Sequence, residues 1–228
     1  DASHELRTPA HVTRTAAEVT LSGRGRTEAE YREALSIVAE QTRRMSRLID
    51  DMLLLARADM GQRPIEPSSF YLDELVGEAV RALRVLAAPR RVSIAVDAAP
   101  DLEITADEAL VRQLVTNVVG NAIRHSPAGG TVTVRVARAA GQATIDVIDQ
   151  GPGVPEAERA RIFERFVKRD PSREHGEGAG LGLPIARWIA EAHGGTLVLA
   201  ETGAAGATFR ATLPLTAPGA ASPRPNAA

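Results

Sequence analysis

The residues best suited to chemistry fall in four clusters, the first being Ser3-His4-Glu5-Leu6-Arg7-Thr8-Pro9. Imidazole, with an ordinary pKa of about 6.5, is largely neutral near pH 7 and can then act as a nucleophile. On a helix, His4 and Thr8 project from one face, so the hydroxyl can reach a group attached to the ring. Acidic Glu5 beside them can hold the imidazole with one nitrogen left to attack. The second cluster, Asn117-Val118-Val119-Gly120-Asn121-Ala122-Ile123-Arg124-His125, places two amides on one helical face. Amide oxygens are hard, uncharged ligands, fit for a Mg2+ that keeps several waters and bridges phosphates already carrying negative charge. Asp149-Gln150-Gly151-Pro152-Gly153-Val154-Pro155 is the third, a carboxylate followed by two glycines that let backbone approach a ligand closely. In the fourth, Gly178-Ala179-Gly180-Leu181-Gly182-Leu183 opens a helical run. Backbone N–H groups and the positive end of that helix suit a triphosphate. Each pattern alone is ordinary: a solvated histidine, capping asparagines, a tight turn, a pliant loop. Their joint occurrence in one chain, in this order, is not.

The elements that must carry these clusters read as two domains of α+β class. Ser3 to Leu21 is helical in pattern, with Pro9 tolerated only by bending or locally unpairing the helix. After the break Ser22-Gly23-Arg24-Gly25-Arg26, Thr27 is a good N-cap with Glu28 and Glu30 in the first turn. Tyr31, Leu35, Val38, Thr42, Met45, Ile49, Met52 and Ala56 then recur at alternating spacings of four and three, a heptad seam. One helical hairpin cannot bury so long a seam, so a homodimer forming a four-helix bundle is expected, with residues 1–60 as the dimerisation unit. The polar, breaker-rich residues 61–68 read as a linker. From 69 to 216 the pattern is α/β: a helix around Leu72 to Leu86, strands at Arg91 to Val96 and Leu102 to Thr105, and a helix from about Asp107 to His125. Strands at Thr131 to Ala137 and Ala143 to Ile148 follow, then a helix from Leu181 to His193 and strands at Thr196 to Ala200 and Ala207 to Leu213. Residues 217–228, rich in Pro, Ser and Ala, read as a disordered tail.

Composition narrows the function classes. A net charge of -2 gives no footprint for nucleic acid, and the absence of cysteine removes disulfides, zinc-thiolate sites and a cysteine nucleophile. No apolar run approaches the roughly 20 residues of a membrane span, and no signal-peptide pattern opens the chain. The chain starts at Asp1 within a helical pattern, so the reading is a soluble fragment of a larger protein.

The four clusters resemble those of the sensor histidine kinases of bacterial two-component systems, over nearly everything before the tail. The resemblance implies a dimerisation and phosphoacceptor hairpin followed by a GHKL-type (Bergerat) ATP-binding domain. It implies that His4 is the phosphorylated nucleophile, that Glu5 orients or deprotonates its ring, and that Thr8 positions a water for phosphatase activity. By the same likeness Asn121 is the principal Mg2+ ligand, with Asn117, Arg124 and His125 near the phosphates. Asp149 then reads the adenine amino group, with Gly151 and Gly153 beside it; Gln150 stands where the family more often has Asn. Ile162-Phe163-Glu164-Arg165-Phe166 is similar to the family's phenylalanine box, and the polar stretch from Lys168 to Glu177 to its ATP lid. Arg165 or Lys168 supplies positive charge near the γ-phosphate, and Gly178, Gly180, Leu181 and Gly182 form the second glycine box. Thr208 is a further nucleotide contact. Implied partners are ATP, Mg2+ and a response-regulator receiver domain, with a membrane sensor upstream and this part facing the cytoplasm. Two rivals differ in class. Gyrase-type hydrolases of the same superfamily carry a water-activating Glu where this chain has Asn117, and a non-catalytic dimer scaffold would bind ATP only to gate a partner.

Overall fold

The structure is a computed structural model and describes residues 2–23, 25–167 and 179–216. It separates into two compact units, Asp1–Arg63 and Pro64–Ala228. In the first, α1 (Ala2–Ser22) and α2 (Glu28–Asp59) form a hairpin. The turn is set by a reciprocal cap: the Thr27 hydroxyl accepts from the Glu30 N–H at 3.4 Å, and the Glu30 carboxylate accepts from the Thr27 N–H at 2.7 Å. Helix α1 runs unbroken through Pro9, which is buried. The heptad seam lies largely in water in the single chain: Tyr31, Leu35 and Ile49 are 44%, 66% and 46% exposed. The apolar residues buried on α2 are Leu48 and Leu55, from the adjoining stripe that the seam omitted.

The second unit holds β1 (Ser68–Tyr71), α3 (Leu72–Ala87), β2 (Ser93–Ala98), β3 (Glu103–Ala106), α4 (Glu108–His125), β4 (Thr131–Ala139) and β5 (Gln142–Ile148). It continues through α5 (Glu156–Arg159), α6 (Gly182–Ala192), β6 (Thr196–Gly203) and β7 (Gly206–Pro214). Five strands make a mixed sheet in the order β2-β4-β5-β7-β6, in which β2 and β4 are parallel and the other neighbours antiparallel. Alternation along the strands sends Val132, Val134, Val136, Ile145, Val147, Phe209 and Leu213 into the core. There they meet Leu110, Leu114, Val118 and Ile123 of α4 and Ile185 and Ile189 of α6, all at most 2% exposed. At roughly 1.5–3 kcal/mol for each large apolar side chain, this layer supplies the stability that a ligand site on its rim requires. Arg210 reinforces the β5–β7 pair by gripping Asp146 through Nε at 2.7 Å and Nη2 at 2.6 Å.

Three short elements escaped the sequence reading. Strand β1 begins at Ser68, within the stretch read as linker, and pairs antiparallel with β3. A 3-10 turn at Ala88–Arg90 closes α3, and Arg91 follows it at φ 55°. Helix α5 spans one turn. At four residues or fewer, such pieces carry too little periodicity to register. The stretch read as an ATP lid, Lys168 to Glu177, and the tail read as disordered, residues 217–228, lie outside the described residues.

Candidate nucleotide and phosphoacceptor sites

In the hairpin, His4 and Thr8 are both exposed on α1, and Glu5 is half-buried. Thr8 donates its hydroxyl hydrogen toward the His4 carbonyl at 3.4 Å, the back-bond that four-residue spacing allows. Arg7 Nη1 lies 3.4 Å from His4 Nδ1, a long contact in which only the guanidinium can donate. The ring is therefore accessible and loosely held. The sequence reading named Glu5 and passed over Arg7.

In the second unit Asp149 follows β5 directly and is 4% exposed. Its Oδ1 accepts from the Gly151 N–H at 2.8 Å and the Ala207 N–H at 3.2 Å, which fixes the carboxylate between two strand ends. Space around it is closed to side chains. A Cβ on Gly151 would stand 2.6 Å from the His125 carbonyl oxygen, and one on Gly206, at φ 132°, would collide with the Asp149 carbonyl. Gly153, at φ 68°, abuts the Gly203 carbonyl, and the neighbouring Val154 N–H donates to Thr202 Oγ1 at 2.6 Å. Gln150 turns its Oε1 onto the Thr131 N–H at 2.8 Å, so its departure from the usual Asn serves the β4 end of the loop. Thr208 is buried on β7 opposite Ile148, one residue past the Ala207 that holds Asp149.

Helix α4 supplies the amides. Asp107 caps it by accepting from the Leu110 N–H at 3.1 Å, and Asn117 and Asn121 sit half-buried one turn apart. Asn117 Nδ2 is buried without a partner among the described residues, and its side chain lies against Gly182, whose Cβ position is 3.7 Å away. An orphaned buried donor beside a glycine turn fits a ligand with acceptor atoms. Burial, and after it Arg90, lowers the pKa of the Arg124 guanidinium. Arginine nonetheless stays charged, and no carboxylate pairs with Arg124 among the described residues, so an anion there would offset its desolvation. Arg90, missed in the sequence reading, donates to the Arg124 carbonyl at 3.2 Å and adds a second positive charge at this helix end. His125 is exposed, and its carbonyl borders Gly151.

Phe163 meets Phe209 edge-on at 6.3 Å between centroids, with the Arg187 guanidinium 5.4 Å over its ring, so its role is to fasten the segment to the core. Phe166, at φ 64°, donates its N–H to the Gly180 carbonyl at 3.0 Å. This contact ties together the two stretches that flank residues 168–178. Gly180, at φ 71°, leaves no room for a Cβ, which would lie 2.7 Å from the Val167 carbonyl oxygen. Leu181 is 1% exposed, its side chain in the core, so only its backbone is presented to a ligand. Gly182 opens α6, and Pro184 fits the first turn, where an N–H is not needed. Arg165 is exposed; Lys168 and Gly178 lie outside the described residues.

A phosphate-ready helix start, an orphaned amide and a buried carboxylate cradled by glycines thus converge on one unit. Residues 106–217 match the family described as Histidine kinase-, DNA gyrase B-, and HSP90-like ATPase. Residues 1–61 match the His Kinase A (phospho-acceptor) domain. The chain belongs to the two-component sensor histidine kinases. The phosphoacceptor match separates it from the gyrase-type members, which the ATPase match alone would admit.

Among relatives, it is 38% identical over 206 residues to the sensor protein IrlS of Burkholderia pseudomallei, covering 85% of this chain and 41% of that one. The chain thus spans about two fifths of the length of the curated relatives it matches. Among solved histidine kinases, full-length ShkA in complex with AMPPNP is similar at TM-score 0.72 and 29% identity, covering 93% of this chain and 44% of that one. ThkA in complex with the response regulator TrrA is similar in fold at TM-score 0.68 and 22% identity, covering 94% of this chain and 60% of that one. No helix among the described residues is long and apolar enough to cross a membrane.

Proposed function

We propose that this chain is the kinase core of a larger sensor, moving the γ-phosphoryl group of ATP onto His4 and from there to an aspartate of a response-regulator receiver domain. The observation that carries the reading is the Asp149 carboxylate, immobilised by the Gly151 and Ala207 N–H groups within glycine walls, in the same chain as the exposed His4. Asp149 accepts from the adenine amino group, and glycines 151 and 153 admit the base. The N-terminal turn of α6, Arg124 and the Asn117 amide hold the phosphates. Asn121, with Asn117 beside it, is suited to Mg2+ because its amide oxygen is a hard, neutral ligand and the phosphates already supply the negative charge. When bound, that ion would offset the negative charge of the phosphates. A neutral nitrogen of His4 forms the bond to the γ-phosphorus as the bond to the bridging oxygen breaks, ADP leaves, and the ring gives up its remaining proton excess to solvent or Glu5.

The exposed seam at Tyr31, Leu35 and Ile49 supports a homodimer through the hairpin. Thr8, one turn from His4, supports phosphatase activity toward the regulator. The relatives' greater length and their names as sensor proteins support a sensor segment elsewhere in the full protein, and we place that sensor upstream in the cell membrane with this part on the cytoplasmic side. Incubation with Mg2+ and γ-labelled ATP tests the reading: acid-labile, alkali-stable label on the parent, absent from His4→Gln, is expected. Label that survives in His4→Gln would refute it.

A further inference from the structure

His193, which no part of the proposed chemistry uses, is 1% exposed at the C-terminal end of α6. Its Nε2 accepts from the Asp107 N–H at 3.0 Å, which requires that nitrogen to be bare. Its Nδ1 then carries the hydrogen and donates to the Ile189 carbonyl at 2.7 Å, capping its own helix. Asp107 is the N-cap of α4, so the ring joins the start of one site helix to the end of the other.

The two helices run side by side in opposite directions, because their far contacts also match. Asn117 lies ten residues into α4 from Asp107, and Gly182 eleven residues back along α6 from His193. At 1.5 Å per residue these spans are about 15 Å and about 16 Å. Asn117 meets Gly182 at the other end, as that equality demands. A slide of α6 along α4 at the His193 end would therefore displace the glycine turn relative to Asn117 and Asn121. Apolar contacts between helices resist separation, yet they discriminate poorly against small slides. A buried hydrogen bond of fixed geometry does discriminate.

Asp107 serves a third group. Its Oδ1 caps α4 at Leu110, while Oδ2 accepts from the Glu66 N–H at 3.2 Å. Glu66 lies three residues past Arg63, where the hairpin unit ends, so the chain entering the second unit is tied to the same carboxylate.

We propose that His193 and Asp107 form a register pin between α4 and α6 that sets nucleotide affinity from the far end of the helix pair, with Glu66 attaching the incoming linker to that pin. His193 is thus a positioning residue. The proposal rests on the reading that ATP binds between Asn117 and the α6 start, and its test separates the two. In the intact chain, His193→Phe keeps bulk and removes the acceptor, whereas His193→Gln can place an amide oxygen near the Nε2 position. Asp107→Ser keeps the cap of α4 but cannot span to Glu66. Calorimetric titration with Mg-ATP is expected to show at least about tenfold weaker binding for His193→Phe, with recovery toward the parent in His193→Gln. Asp107→Ser is expected to weaken binding less and to speed amide exchange at Glu66. NMR without nucleotide gives the independent readout: the Gly182 amide and Asn117 side-chain amide signals should shift in His193→Phe and return in His193→Gln.

A parent that binds no ATP while these signals follow the pin would sink the site reading and keep the pin. Unchanged signals and affinity in His193→Phe, whatever its melting temperature, would overturn the pin and leave His193 a core residue. Where His193→Phe fails to fold, His193→Leu, smaller and likewise without an acceptor, takes its place, and parent-like affinity and signals in that variant would overturn the pin.

Discussion

Asp149→Asn is the substitution that most sharply tests how the base is recognised. Asn is nearly isosteric, but one of its two polar ends donates instead of accepting. Its orientation is dictated by the fold: the Gly151 and Ala207 N–H groups both point at Oδ1, so the amide oxygen must stay there. Flipping it would set an NH2 against two N–H donors, at a cost of about 1–3 kcal/mol for each unsatisfied group. The NH2 is thus directed where the carboxylate's second oxygen had been, which on the proposed reading faces the adenine amino group. A hydrogen bond to a charged acceptor, worth roughly 1.5–3 kcal/mol, is replaced by donor facing donor, which predicts ATP binding weaker by roughly 10- to 100-fold. Inosine triphosphate carries a carbonyl oxygen in place of that amino group and should move the opposite way, binding the variant better than the parent. Because Oδ1 still serves both N–H groups, the melting temperature should fall only modestly, by the charge assistance lost, on the order of 1 kcal/mol. Calorimetric titration of both proteins with both nucleotides, alongside thermal unfolding, decides the matter. ATP affinity unchanged, or an equal loss for the two nucleotides, would refute Asp149 as the reader of the base.

Gly180→Ala forces a Cβ to 2.7 Å from the Val167 carbonyl oxygen at φ 71°, so it should open the Phe166–Gly180 contact and lower ATP affinity, with about 1 kcal/mol or more lost from stability in denaturant unfolding. Burial, then Asp50, raises the Asp51 carboxyl to about 6, against a lowering by Arg47. The folded chain therefore keeps a proton that the unfolded chain releases above about pH 4, so stability is greatest below that value and declines as pH rises through about 6. Asp51→Asn, fixed in the neutral form, should be more stable than the parent at pH 7.5, on the order of 1 kcal/mol after solvent screening, and equal to it near pH 3.5. A parent and variant with parallel pH profiles would contradict this. Leu35→Asp with Ile49→Asp, both at exposed seam positions, should yield a monomer by light scattering while nucleotide affinity is retained; a persistent dimer would place the interface elsewhere.

The chemistry was legible in the sequence where it depends on contiguous residues. The hairpin's Thr27 cap, the Asn117–Asn121 spacing and the glycine runs are local devices, and helix or strand period alone orients them. Partners brought together by strand pairing were not. Ala207 reaches Asp149 only because β7 lies beside β5, and Thr202 reaches Val154 only through a segment 48 residues away. Gln150, which looked like a weak match at the base, instead holds the Thr131 N–H.

The sequence by itself determined the family, the order of the two units, and which histidine, asparagines and carboxylate could act, because those follow from residue type and short spacing. Only the tertiary structure decided that Asp149 Oδ1 accepts from the Gly151 and Ala207 N–H groups, that Leu181 and Phe163 serve the core, and that His193 joins two helices across 86 residues of chain. The physical reason is that a buried polar group must find its partner wherever the fold puts one, and spacing along the chain does not record that distance.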